Sequence, residues 1–128
     1  MNHRLVCTLG LWASAPFGVA FLLAPLLVGS VYGAMPADAF TSSLGRYFGS
    51  ELLLFSAALW ALREVRDPAA QRKAAVGIAF GSIVGLAVTL HAALTGTMNA
   101  MAWSTVAIYA FFTWAWGRLA LAGGSTAS

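Results

Sequence analysis

The sequence predicts an all-α fold, a bundle of four transmembrane helices whose amino and carboxyl termini both lie on the cytoplasmic side. The composition, the lengths of the uncharged runs and the positions of the basic residues lead to this prediction. Hydrophobic residues make up 60% of the chain, charged residues only 9%, and the mean hydropathy is +0.81. An average soluble domain carries charge on about a quarter of its residues. Since a crossing takes about 20 apolar residues, the 128 residues are expected to form a single membrane domain, 1–128.

The first predicted helix covers residues 5–31. It contains Pro16 and Pro25, so we expect it to be kinked or broken. Its start also resembles a secretory signal peptide, because Ala13-Ser-Ala15 has the small-residue pattern of a cleavage site. Pro16 directly after that site disfavours cleavage, so we expect the segment to remain as a membrane helix.

The other three helices are predicted over residues 44–63, 72–95 and 99–119, with a mobile tail at 120–128. The second helix ends in a charged loop, and Pro68 opens a new element after it. The uncharged stretch from Ala74 to Gly117 is too long for one crossing and suits two. Gly96 lies at the natural break between them, since glycine commonly closes a helix.

The basic residues predict the orientation of the bundle. Six of the seven fall on one side of a four-helix arrangement, and only Arg46 falls on the other. The six are Arg4, Arg63, Arg66, Arg72, Lys73 and Arg118. An excess of basic residues marks the cytoplasmic side, so we expect an integral membrane protein with both termini in the cytoplasm. Scattered basic residues do not form a nucleic-acid-binding stripe, and the expected partners are the lipid bilayer and a homo-oligomer or larger membrane complex.

Small and aromatic residues on the last two helices predict packing surfaces. Gly77, Gly81 and Gly85 recur every fourth residue and form a face where another helix backbone can approach closely; a groove for a lipid tail or quinone is the alternative. Trp114 and Trp116 are expected to anchor the cytoplasmic interface, where an indole ring is buried while its N–H remains near water.

Glu51 and His91 are the principal candidate site residues, because ionisable side chains inside a membrane are costly and commonly face partners or a cavity. If the second and third helices are antiparallel neighbours, both residues lie toward the extracytoplasmic side and are able to meet. The candidate polar pocket there consists of Glu51, His91, Arg46, Tyr47, Asn99 and Trp103. One interpretation is a hydrogen bond that fixes helix register, and the other is a binding or proton-handling site.

The sequence predicts no metal site. Cys7 is the only cysteine, which leaves out a Cys-x-x-Cys pair and a cysteine-based zinc site. His91 is the only histidine predicted well inside the membrane, which argues against haem held by two histidines of one chain. No cofactor is therefore predicted, with a bound quinone or lipid as the alternative.

The stretches Leu44-Gly-Arg46-Tyr-Phe-Gly49 and Leu94-Thr-Gly96-Thr-Met-Asn99-Ala-Met-Ala-Trp103 are similar to small bacterial four-helix membrane proteins, loosely the DoxX-like group. The resemblance covers the last three helices. It implies a four-helix bundle in a bacterial inner (plasma) membrane and, as for DoxX itself, a role as a small membrane subunit beside a quinone-linked oxidoreductase.

Three functions follow as hypotheses. The first is a non-enzymatic accessory subunit or oligomeric bundle with a polar pocket near the extracytoplasmic side. The second is a redox subunit or enzyme that binds a quinone or lipid head group, with His91 as hydrogen-bond donor and Glu51 as proton acceptor. The third is a small proton-coupled transporter, built as a dimer around Glu51.

Overall fold

The computed structural model describes residues 2–33 and 38–122, and this part of the chain is all-helical, as the sequence predicts. The helices follow in the order α1 (His3–Leu23), α2 (Pro25–Tyr32), α3 (Ala39–Leu62), α4 (Pro68–Leu94) and α5 (Ala102–Ala122). Strands are absent from the two described ranges.

The first predicted helix is divided into α1 and α2 at Ala24. The backbone of Ala24 leaves helical geometry, with φ −139° and ψ 59°, and Pro25 occupies the first position of α2. Proline suits that position because its missing N–H would have no partner in the first turn of a helix. Pro16, by contrast, lies inside α1 without ending it.

Aspartate caps begin α3 and α4 earlier than the predicted residues 44 and 72. The Thr41 N–H donates to Oδ1 of Asp38 at 2.6 Å, and the Ala70 N–H donates to Oδ2 of Asp67 at 2.8 Å. A capping carboxylate satisfies an N–H that has no partner within the helix. As a result, Glu51 lies near the middle of α3 rather than close to its start.

The loop between α4 and α5 is tight, and α5 begins later than predicted. Gly96 has a positive φ of 68°, and the Thr97 N–H donates to the carbonyl oxygen of Ala92 at 3.2 Å, the pattern by which glycine closes a helix. At its other end α5 continues to Ala122, so residues 120–122 of the predicted tail are helical. Residues 123–128 of that tail lie outside the described residues.

The long helices pack as two close pairs. α1 packs along α3, α4 packs along α5, and contact between the pairs runs chiefly through α1 and α5. Glycines on α1 and α3 permit the first pairing, because a Cβ at Gly49 would lie 2.8 Å from the carbonyl oxygen of Gly18 and 2.6 Å from the amide nitrogen of Leu22. Beside them, the hydroxyls of Ser14 and Ser56 are hydrogen-bonded at 2.7 Å.

The fully packed core lies at one end of the molecule, where all four long helices meet. Its buried residues are Val6, Cys7, Leu59, Ala75, Ala79, Ala115 and Trp116. At the same end Arg4 forms an ion pair with Glu64 at 3.4 Å, and Arg72 donates to the carbonyl oxygen of Ala120 at 3.2 Å. We call this the basic end, because it gathers every basic residue except Arg46.

Among the helices of the two described ranges, two are long and apolar enough to cross a membrane. They are α1 and α4, each with a mean hydropathy of 1.8 over its most apolar 18 residues. Only 28% of that stretch in α1 and 17% in α4 is buried inside the protein. A core helix of a soluble protein is mostly buried, so these two helices differ from that class.

Candidate functional site

Glu51 lies on the outer surface of the protein. It is exposed near the middle of α3, on the side of the helix opposite Gly49 and Ser56, which face α1. Within the described residues the carboxylate forms no ion pair and no hydrogen bond. The nearest outward residues along the helix, Tyr47 and Leu54, are also exposed.

The structure does not bring His91 to Glu51. His91 is exposed in the last turn of α4, and its ring makes no hydrogen bond within the described residues. Two changes from the sequence prediction separate the pair. The early start of α3 places Glu51 near the middle of its helix, whereas His91 is in the last turn of α4, and α3 packs on α1 rather than on α4.

Three other residues of the predicted pocket lie on the outer surface, and Tyr47 lies one helical turn before Glu51 on α3. The side chains of Arg46, Tyr47 and Trp103 are exposed, and none of them makes a hydrogen bond in the described part of the chain. Within the described residues no hydrogen bond or ion pair joins these side chains to Glu51 or His91.

Asn99 links α2 to the loop before α5 through hydrogen bonds. Its side-chain Nδ2 donates to the carbonyl oxygen of Val31 at 2.8 Å, and its backbone N–H donates to the carbonyl oxygen of Tyr32 at 2.9 Å. Its Oδ1 accepts from the N–H of Met101 at 2.9 Å. The Thr105 hydroxyl reaches the Tyr32 hydroxyl at 3.3 Å, so these contacts join α2 to α5.

The glycines of α4 do not share one environment. Gly85 lies directly against the ring of Tyr109 on α5, where a Cβ would overlap the ring. No atom of the described residues outside the helix backbone and the chain neighbours lies within 4 Å of the positions where Gly77 and Gly81 would carry a Cβ. Gly85 thus packs inside the protein, whereas Gly77 and Gly81 open outward.

The sequence reasoning missed a buried polar cluster at the basic end. The ring of His3 contacts the carbonyl oxygen of Leu62 through Nε2 at 3.0 Å, lies 3.6 Å from Sγ of Cys7, and meets the edge of Trp116 at 5.9 Å between ring centroids. The four-residue spacing of His3 and Cys7 was the available signal, since it places both on one face of α1. The cluster holds the start of α1 against the end of α3.

The two tryptophans predicted as interfacial anchors differ from each other in exposure. Trp116 is only 1% exposed and belongs to the core, so for this residue the anchoring prediction is wrong. Trp114 is half exposed, and the Arg118 guanidinium lies 5.6 Å from its ring centroid. Such a cation–π contact suits an aromatic ring at a membrane interface.

Two apolar grooves follow the junction of the helix pairs. The first, about 380 Å³, lies between α1 and α5 beside Leu9 and Phe111. The second, about 410 Å³, lies where α1, α2 and the loop before α5 meet, and its lining includes Phe17, Ala20 and Tyr32. Both grooves are open to the outside rather than enclosed.

The described residues contain no group of three or more histidine, cysteine, aspartate or glutamate side chains able to hold a metal ion. No family model matches the chain, and no curated protein and no solved structure gives a match to it.

Proposed function

We propose that this protein is a polytopic membrane subunit that acts by packing its helices against other membrane protein surfaces. In this proposal α1 with α2, α3, α4 and α5 make four crossings of a bacterial inner membrane, and both ends of the chain are cytoplasmic. The long helices contain 21 to 27 residues, which corresponds to about 31–40 Å. That length suits a hydrocarbon core of about 30 Å.

The outward-facing apolar surface is the observation that carries the proposal. Large side chains far from the core are mostly exposed, including Trp12 at 71%, Leu54 at 65% and Phe80 at 70%. Monomeric soluble proteins rarely expose contiguous apolar patches of more than a few hundred Å². A bilayer solvates such a surface, and the basic end supplies the charge that the cytoplasmic side requires.

Unpartnered features on the same surface support a subunit role. Glu51 faces outward from the middle of α3, and Gly77 and Gly81 leave α4 open to close approach. Intramembrane carboxylates usually face protein or water rather than lipid, and small residues mark helix contacts in membranes. A role as a small subunit also agrees with the DoxX-like resemblance.

Fractionation followed by sizing of the native complex tests this function. We expect the protein to stay in the membrane pellet after an alkaline carbonate wash, which removes peripheral proteins. In mild detergent it should migrate well above the 13.4 kDa monomer after correction for bound detergent. Recovery in the wash would contradict the membrane assignment, and a strictly monomeric extract would contradict the subunit role.

The second groove favours a second candidate function, the binding of a prenyl or acyl chain from a quinone or lipid. Ala20 lies in this groove, so Ala20→Trp should fill it, whereas Ala87→Trp places the same bulk at an exposed position of α4. Native mass spectrometry should show a bound quinone or lipid on the wild-type protein and on Ala87→Trp, and its loss from Ala20→Trp. Equal retention in all three proteins would contradict this function.

A further inference from the structure

The outer face of α3 carries a regular seam of exposed residues. They recur in alternating steps of four and three residues and are Phe40, Leu44, Tyr47, Glu51, Leu54 and Ala58. All six are exposed, and they lie opposite the face that packs on α1. This spacing is the heptad pattern of a parallel coiled coil, in which two helices wind around each other. Most helix pairs in membranes cross at an angle similar to that of coiled coils. We call these six residues the α3 seam.

A polar residue stands at the centre of the α3 seam. Glu51 is about 17 Å from either end of α3 and has no partner in the described part of its own chain. In a bilayer that position is the hydrocarbon interior, where an unpaired polar group is strongly disfavoured. The seam therefore needs a covering helix that offers Glu51 a hydrogen-bonding group at the same depth.

We propose that the α3 seam is the interface between two copies of this protein, related by a two-fold axis along the membrane normal, with Glu51 hydrogen-bonded to the partner's Glu51. The inference rests on the proposed function, because it requires α3 to cross the bilayer.

A second copy of the protein supplies both the covering helix and the hydrogen-bonding group that the α3 seam requires. Copies inserted in the same orientation place identical residues at identical depth, and a two-fold interface brings each central residue to its own counterpart. A carboxylic acid group both donates and accepts a hydrogen bond, so two of them satisfy each other. A single polar residue in a heptad seam also fixes the register and the number of helices. Glu51 would perform that role in this dimer.

Cysteine crosslinking in native membranes tests the interface. In a Cys7→Ala background, Tyr47→Cys and Leu54→Cys place thiols on the seam on either side of Glu51. Phe80→Cys is the matched control, because it is also about 70% exposed and lies in the middle of α4. Disulfides form only when two Cα atoms approach within about 7 Å. Mild oxidation should therefore yield covalent dimers from the two seam variants and none from Phe80→Cys.

Substitution of Glu51 tests the role of the carboxyl group. Glu51→Gln keeps both a donor and an acceptor, so crosslinking at Leu54→Cys should persist. Glu51→Leu keeps the apolar packing and removes the hydrogen bond, so we expect about a tenfold loss of dimer affinity. Unchanged dimerisation of Glu51→Leu would overturn the role of Glu51.

Other results would overturn the choice of partner. Equal crosslinking at Phe80→Cys, or disulfides formed only with a different protein, would exclude the α3 seam as a contact between copies. A seam that lies against lipid would give no crosslink while the protein remains in the carbonate-washed membrane, and this result would refute the dimer alone. Absence of the protein from the membrane would instead refute the proposed function.

Discussion

Glycine and serine determine how closely α1 and α3 approach. At Gly49 the nearest atoms to an added Cβ belong to the α1 backbone, which cannot move aside as a flexible side chain can. The hydroxyls of Ser14 and Ser56 also bond to carbonyls of their own helices, those of Gly10 and Leu52. Since each hydroxyl has one proton, one serine donates to its own helix while the other donates across the interface.

The glycines of α3 and α4 should respond oppositely to the same substitution. Gly49→Ala forces α1 and α3 apart and should lower the free energy of unfolding by about 1–3 kcal/mol. Gly81→Ala meets nothing within 4 Å and should raise it by up to about 1 kcal/mol, because alanine loses less backbone entropy than glycine in a helix. Thermal unfolding of the detergent-solubilised protein measures both. Equal stability of the two variants would refute the close packing at Gly49.

Some features of the helices, such as the residues that cap them, can be predicted from the sequence. The caps of α3 and α4 are readable, because Asp38 and Asp67 each precede a helix by one residue and aspartate is a common capping residue. The sequence prediction began these helices later, at residues 44 and 72, close to where the apolar runs begin. The close contact of Gly49 with α1 could also be predicted, since Gly45 and Gly49 have the four-residue spacing of a close helix contact.

The cap of α3 should make stability depend on pH. The Thr41 N–H, followed by the Thr41 hydroxyl, holds the pKa of Asp38 below its usual value. This contribution is present in full above the unfolded pKa of about 3.9 and is lost as the pH falls through the lower folded value. Asp38→Asn keeps a capping oxygen without a charge. Its melting temperature relative to wild type should therefore fall at pH 7 and converge toward the wild-type value near pH 3; a constant difference would contradict the cap.

The hydrogen bonds of Asn99 should hold α2 in place. Asn99→Ala removes the side-chain bonds to Val31 and Met101, whereas Thr97→Ala is a control in the same loop. Hydrogen exchange followed by mass spectrometry should show faster exchange in α2 for Asn99→Ala, with α4 unchanged and Thr97→Ala close to wild type. Unaltered exchange in α2 would show that packing alone holds this helix.

At the scale of the whole molecule, composition predicts helices but not which helices are neighbours. Apolar residues lie on every side of α3 and α4, so the sequence lacks the polar face that would show which side is buried. The Glu51 and His91 pair was predicted on the assumption that these two helices are neighbours, whereas α3 packs on α1 and α4 packs on α5. The clustering of basic residues at one end could be predicted from the sequence, because these charges lie near the ends of the four long helices.

The α3–α4 and α4–α5 loops offer the most direct test of four crossings. In a Cys7→Ala background, Ala69→Cys and Thr97→Cys place one thiol at the start and one beyond the end of α4. A membrane-impermeant maleimide applied to intact cells should label Thr97→Cys from outside, and should label Ala69→Cys only after the membrane is opened. If only α1 and α4 cross the bilayer, the pattern reverses, with Ala69→Cys labelled from outside and Thr97→Cys protected, and the four-crossing topology would be contradicted.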